Sequence, residues 1–549
     1  MKVFLFAPAC VAALFVIASA GCVRGTGQGA NSPAQESEKE ETTSGEGIDW
    51  STVTPELLWE GVSTLYREQG PGQALSFLEQ GINAQVVTDL EADQVRASLL
   101  NELGRLDEAF LALARYKLDV DHPDLLSLRA QILWSMARYD EARRDYETLL
   151  TAAGDDPSPS LLAALARLYD DLGEWQESGR MRERLYALAP NDPSTFQLRL
   201  YRAILAEGVD EIKQVALDWS DWLPDSLPKD ALSILADAYV ALLEGKAPDA
   251  AGEIREYISE QGFNSDIASL LLQLDAESDD FEAFETDLRS LFDYLDAVQW
   301  LEAPEGIWPQ PAEQPLGVAQ MLDWASALEL GRGDSGKARL LAERARSLDP
   351  YDFVAVLQSA AVEICMQDTS AFWGLLEEAS DLAPPSDVRV RLRMLQFAPL
   401  ARPGSEIPWD PEVVAQELDT VLNHRLAEFP RSALFRAAHA ETLAFAGDLE
   451  TALRESEEAC SLPGATRETH LRRAYYLARL GRADDAWEVV KNHLPPDAPH
   501  LTWASALLQE AAVRSDQDLA VFATKVRTYL DPTGLHPEFF APPATDSSH

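Results

Sequence analysis

Apolar residues recur at spacings of three and four along most of the chain, from about residue 54 to residue 535, with polar residues between them. That spacing places the apolar side chains on one face of a helix, so the pattern predicts helix after helix, each stopped by glycine, a small residue or proline. One stretch departs from it. In "VRVRLRMLQFAPLARPG" (Val388 to Gly404), Arg389, Arg391 and Arg393 alternate with apolar residues. The alternation fits either a short strand or the first helix of a divergent pair. In so acidic a chain these arginines are expected to pair with acidic neighbours, with an acidic partner or a lipid phosphate as the alternative.

The helices repeat. "AFAGDLETALRESEEA" (Ala444 to Ala459) aligns with "ARLGRADDAWEVVKNH" (Ala478 to His493), so that Gly447 and Gly481 are 34 residues apart, as are Ala452 and Ala486, with Ala520 a further 34 on. The same anchor place is held by Ala109, Ala142, Ser178, Ile212, Ala250 and Ala338. Twelve residues before an anchor stand Ala97, Ala130, Ala166, Ala238, Ser326, Ala440 and Ala474, and twelve after one stand Pro190, Pro224, Pro350 and Pro532. Two antiparallel helices cross closely only where both present small side chains, glycine makes the turn between them, and proline ends the pair.

These columns resemble the tetratricopeptide repeat, a helix-turn-helix unit that stacks on its neighbours; Tyr169 also keeps its place. The resemblance implies an all-α fold, a right-handed α-solenoid of about ten to twelve degenerate repeats. It further implies that the first helix of each pair lines a groove where partners bind as extended peptides or helices. Carried over by register, the groove positions are Asn101, Gln131, Trp134, Arg167, Tyr201 and Tyr239. Amide, guanidinium and aromatic groups suit a peptide backbone with a few side-chain pockets. The plainer alternative at each place is a packing or solvated residue. The basic carboxylate clamp of the family is not evident.

The repeat register also disposes of a stretch crowded with motifs. "ELGRGDSGKARLLAERARSLDP" (Glu329 to Pro350) holds an Arg-Gly-Asp, a protease-like Gly-Asp-Ser-Gly and most of a phosphate loop. Ala338 follows Lys337 where a phosphate loop needs Ser or Thr, and the preceding segment reads as helix rather than strand. Ser326, Gly333, Ala338 and Pro350 fall on the repeat columns, so the stretch is an inter-helix turn.

The N-terminus reads as an address. "MKVFLFAPACVAALFVIASAGC" has Lys2, an apolar run from Val3 to Ala20, then Gly21-Cys22. Ser19-Ala20-Gly21-Cys22 resembles a bacterial lipobox, which implies cleavage before Cys22 and a diacylglycerol on its thiol. The family prefers Leu where Ser19 stands. Cleavage after Ala18-Ser19-Ala20 by ordinary signal peptidase, or retention as an anchor, are the alternatives. Acyl chains at about 0.8 kcal/mol per buried methylene hold a protein on a bilayer. Val23 is not the aspartate that marks inner-membrane retention in enteric lipoproteins, which favours the outer membrane.

The organisation read from the sequence is therefore a signal peptide (1–21), a Gly/Ser/Glu-rich flexible tether (22–50), a repeat array (51–295), a Pro/Trp-rich insertion with Trp300 and Trp308 (296–320), further repeats (321–384), the Arg-containing segment (385–411), a C-terminal array (412–535) and a tail (536–549). Charge and cysteine content narrow the function. With 92 acidic against 45 basic residues the net charge is -47, which repels nucleic-acid phosphates and anionic lipid alike. Cys365 and Cys460 are too few for a disulfide framework, and neither metal-ligand spacing nor cofactor motif is present. The expectation is a lipid-anchored scaffold of the bacterial envelope that binds other envelope proteins or peptides and needs no cofactor. An envelope enzyme with a site grafted on the solenoid, or a plain spacer, are the competing readings.

Overall fold

The structure, a computed structural model, describes residues 49–222, 231–261, 264–277, 281–295, 297–302, 317–332, 334–366, 368–398, 408–493, 507–508, 511 and 516–530. Cys22, the tether up to residue 48, Pro224, Trp308, Gly333, Pro532 and the tail lie outside the described residues. Those described form α-helices joined by short turns, with no strand among them. Compaction divides the chain between Leu161 and Leu162 into two units.

The first unit holds α1 (Pro55–Gln69), α2 (Pro71–Asn83), α3 (Leu90–Glu102), α4 (Leu106–Ala114), α5 (Pro123–Ser135) and α6 (Tyr139–Ala153). Each helix starts where the sequence supplies a start. Pro55, Pro71 and Pro123 sit in first turns, where their missing N–H goes unneeded. Thr54 Oγ1 and Asp89 Oδ1 accept from Leu57 N (3.4 Å) and Ala92 N (3.1 Å). Successive helices pack pairwise, and α3 also lies against α5, so that first helices stack on first helices.

The second unit begins with α7 (Pro159–Leu172) and continues through α8 (Trp175–Leu188), α9 (Pro193–Leu205), α10 (Val209–Trp222), α11 (Ala231–Leu243), α12 (Ala247–Gln261), α13 (Ser265–Glu277), α14 (Phe281–Tyr294) and the short α15 (Val298–Glu302). After the insertion come α16 (Val318–Arg332), α17 (Ser335–Leu348), α18 (Phe353–Cys365), α19 (Thr369–Leu382), α20 (Arg389–Phe397), α21 (Pro411–Glu428), α22 (Ala433–Phe445), α23 (Leu449–Cys460), α24 (Arg467–Arg479), α25 (Ala483–His493) and α26 (Gln517–Leu530). The Arg-containing stretch is thus a helix, α20, and not a strand.

The repeat columns are the contact points of the helix pairs. Anchors Ala109, Ala142, Ser178, Ile212, Ala338, Ala452 and Ala486 are fully buried, as are their partners Ala97, Ala130, Ala166, Ser326, Ala440 and Ala474. Where serine replaces alanine, its hydroxyl finds the backbone of the facing helix. Ser178 Oγ donates to the Ala166 carbonyl at 2.7 Å, and Ser326 Oγ donates to the Ala338 carbonyl at 2.8 Å. A larger hydroxyl in a close crossing is thereby satisfied rather than stranded. At these positions the columns mark the close helix crossings that the sequence pattern predicts, whereas the last anchor, Ala520, is only half-buried.

A further column appears in the backbone. Five residues before an anchor, wherever that turn is described, the backbone takes a left-handed conformation, at Gly104 (φ 72°), Ala137 (57°), Gly173 (74°), Glu207 (51°), Gly245 (71°), Gly447 (90°) and Gly481 (73°). Glycine is the ordinary occupant because a Cβ costs about 1–2 kcal/mol there. Ala137 and Glu207 are the costly exceptions, and for Glu207 the side chain explains why.

Candidate interaction site

The six register-derived groove positions divide between the units. Asn101 on α3 and Gln131 and Trp134 on α5 are half-buried. The Asn101 amide oxygen is buried without a hydrogen-bond partner among the described residues. In the second unit, Arg167 on α7 lies 5.4 Å over the Tyr201 ring of α9. Tyr201 is only 8% exposed and its hydroxyl is pushed up to about 12 by burial. Tyr239 on α11 is only 2% exposed. Packing, the plainer alternative, is thus what the structure gives for these two tyrosines.

The reason for their burial is a junction within the second unit. Helices α7 to α11 meet α20 to α24, which come some two hundred residues later in the chain. Ser386 N donates to the Asp171 carbonyl at 2.9 Å. Glu428, at the end of α21, pairs with Arg182 of α8 at 3.1 Å and Arg202 of α9 at 2.7 Å. Burial opposes the Glu428 charge, but Arg202 and then Arg182 outweigh it, and the carboxyl sits below its usual range. His424 stacks on Trp175 with centroids 4.3 Å apart, and the Arg425 guanidinium lies 4.4 Å over the same indole. Arg202 in turn lies 5.2 Å over Phe429. Cation and ring faces alternate across the seam, which favours charge even where water is scarce.

Glu207 completes the seam. Its carboxylate accepts from Ala433 N at 2.7 Å, Leu434 N at 3.1 Å and Ser432 Oγ at 3.1 Å. It thus serves as the N-terminal cap of α22, a helix more than two hundred residues away, where the exposed N–H groups and the helix dipole favour an anion. Burial raises its carboxyl above the usual range, and those three bonds pull it down without cancelling the rise. Its carboxylate is in contact with the site of any Cβ added at Gly464, so the loop before α24 needs glycine to pass.

Beside Glu207 the seam leaves a cavity of about 170 Å³. Ile204, Tyr239, Leu242 and Leu392 supply apolar wall, together with Leu434 and Ala437 of α22. The charged groups on its rim satisfy one another. Arg393 pairs with Glu468 at 3.2 Å, Arg472 with Glu441 at 2.9 Å, and Arg389 with Asp387 at 2.7 Å. Arg391 pairs with Glu417 at 3.2 Å. Arg389, Arg391 and Arg393 of the cationic island are therefore neutralised by acidic neighbours, as their setting in an acidic chain led one to expect.

Sequence reasoning missed Glu207, Trp175, Arg425 and Glu428. Only Glu207 carries a readable signal, a charged residue in the glycine column. Burial pushes the Cys365 thiol up to about 12 and the Cys460 thiol up to about 11. Trp300, only 1% exposed, is held on α15, its carbonyl accepting from buried Arg344 Nη1 at 2.7 Å.

Residues 161–195, spanning α7, α8 and the turn into α9, match the family model of the tetratricopeptide repeat. Among solved structures the chain is similar to the APC/C hetero-tetramer Cut9-Hcn1, at 14% identity over 89% of this chain and 96% of that one, with a TM-score of 0.40. It is similar to a tetratricopeptide repeat protein from Parabacteroides merdae, at 13% identity over 56% of this chain and 98% of that one, TM-score 0.25. Yeast Tom70 matches at 13% identity over 86% and 91%, TM-score 0.26. No curated protein matches the sequence.

Proposed function

We propose that this tetratricopeptide-repeat chain is a lipid-anchored adaptor of the bacterial cell envelope, held on the outer membrane through an acylated Cys22. It binds a partner protein along α3 and α5 of the first unit. The observation that carries the binding surface is that Asn101 stays only half-buried on a first helix of the first unit, an amide of the kind that pairs with a peptide backbone. Gln131 and Trp134, half-buried on α5, the first helix of the next pair and a neighbour of α3, add an amide and an aromatic ring. Tyr201 and Tyr239 are left out because the junction already covers them. The lipobox-like Ser19-Ala20-Gly21-Cys22 and the Gly/Ser/Glu-rich tether support the anchor.

The test has two arms. Fractionation of cells expressing wild type and Cys22→Ala tests the anchor, and an equal membrane share for both sinks it. Crosslinking of the tagged protein in intact cells, followed by mass spectrometry, tests the adaptor. A dominant partner lost in a folded Asn101→Ala/Trp134→Ala variant supports the α3/α5 surface. A profile like that of an untagged control, or a partner retained by the double variant, overturns it.

A further inference from the structure

The cavity beside Glu207 is a site that the adaptor reading does not use. Its position is unusual for a packing defect: it lies where two distant parts of the second unit close on each other, and its walls come from α9, α11, α20, α22 and the start of α24. Filled close packing is the norm in protein interiors, and a dry cavity of about 150 Å³ lined by aliphatic side chains takes up benzene. This one is of similar size.

The rim decides the ligand's charge. An anion would need a free cation, but Arg389, Arg393 and Arg472 are already in ion pairs with Asp387, Glu468 and Glu441. A cation would need a free carboxylate, but Glu207 is committed to the α22 N-terminus. Breaking any of these pairs leaves a buried charge alone, at a loss no weak ligand offsets. What remains on the wall is hydrocarbon from Ile204, Leu242, Leu392, Leu434 and Ala437 with the Tyr239 ring, beside Gln396, which accepts from Arg393 Nη1 at 2.7 Å, and Thr466 and Thr469, whose hydroxyls bond each other at 3.3 Å.

From this geometry we infer that the cavity binds a compact, neutral, apolar ring, of benzene to indole size. Removing about 200 Å² of apolar surface from water corresponds to a Kd on the order of 0.1–1 mM. The ring comes either from a free small molecule or from an aromatic side chain of a bound chain, and the chemistry of recognition is the same.

Calorimetric titration of the full-length protein with indole tests this, against Ala437→Trp, which fills the cavity with its own ring. Partition of indole into detergent is common to both proteins and cancels in the comparison. The expected result is saturable indole binding by wild type, lost in Ala437→Trp. Indole-3-acetate, the anionic analogue, is expected to bind at least tenfold more weakly. Absence of saturable binding up to millimolar indole, equal binding to the filled variant, or tighter binding of the anion would each overturn the inference. Should Ala437→Trp fail to fold, Ala437→Leu carries the same comparison. N-acetyl-tryptophanamide then separates the sources: competition with indole points to a side chain, and indole binding alone points to a free molecule.

Discussion

Replacing Glu207 by alanine tests whether the seam of the second unit is held by this one side chain. The substitution strips the acceptor from three bonds, those to Ala433 N, Leu434 N and Ser432 Oγ. A buried donor left without a partner costs about 1–3 kcal/mol, and two backbone donors are involved. Part of this returns because the carboxylate itself no longer has to be desolvated. The expected net loss is about 2–4 kcal/mol in the closure of the seam. Alanine keeps the strain of the left-handed backbone at φ 51°, whereas glycine removes about 1 kcal/mol of it. Glu207→Gly is therefore expected to be the less harmful of the two. The assay is native-state hydrogen exchange at the Ala433 and Leu434 amides, where 2–4 kcal/mol means roughly 30- to 1,000-fold faster exchange. Gly464→Ala, which crowds the same carboxylate, is expected to act in the same direction by a smaller factor. Unchanged exchange at both amides in Glu207→Ala, or a Gly variant looser than the Ala variant, would refute the reasoning.

Other expectations concern charge and turns. Asp349, at the C-terminal end of α17, has its carboxyl pushed up to about 7 by burial and by Asp352. A carboxyl raised in the folded state costs stability above that pH and returns it as pH falls towards 3.8. Asp349→Asn, which still accepts from Tyr351 N, is thus expected to gain about 1–2 kcal/mol at pH 8 and nothing at pH 4, measured by urea denaturation at both. The stacked rings of His470 and His493, 3.7 Å apart, act in the opposite sense. Burial, then His493 and Arg473, lower His470 to about 4, so its contribution is whole above pH 6.5 and is lost as pH falls from there to 4. Exchange at α24 and α25 amides is expected to accelerate across that window in wild type and to lose much of that dependence in His470→Gln. Ala137→Gly places the ordinary residue at a left-handed turn of φ 57° and is expected to raise the melting temperature, with about 0.5–1 kcal/mol of stabilisation. A lower melting temperature would mean that the turn relaxes around Ala137.

Much of this protein is legible from the chain alone because its regularities are local. Apolar spacing sets each helix, and the 34-residue recurrence of small residues sets each crossing, down to serines whose hydroxyls reach the partner backbone. The first helices of the pairs follow from the same register, and so do Asn101, Gln131 and Trp134 as positions on them. The seam is different. Arg182 and Glu428 are separated by 246 residues, and Glu207 and Leu434 by 227. Whether such pairs meet depends on the summed rise and rotation of every helix pair between them, to which each turn and crossing contributes a little. No window of sequence contains that sum. The sequence by itself therefore determined the helices, their pairing and the register of their faces. Only the tertiary structure decided that α22 is capped from α9's turn, that Tyr201 and Tyr239 lie beneath a junction, and that a cavity stands beside them.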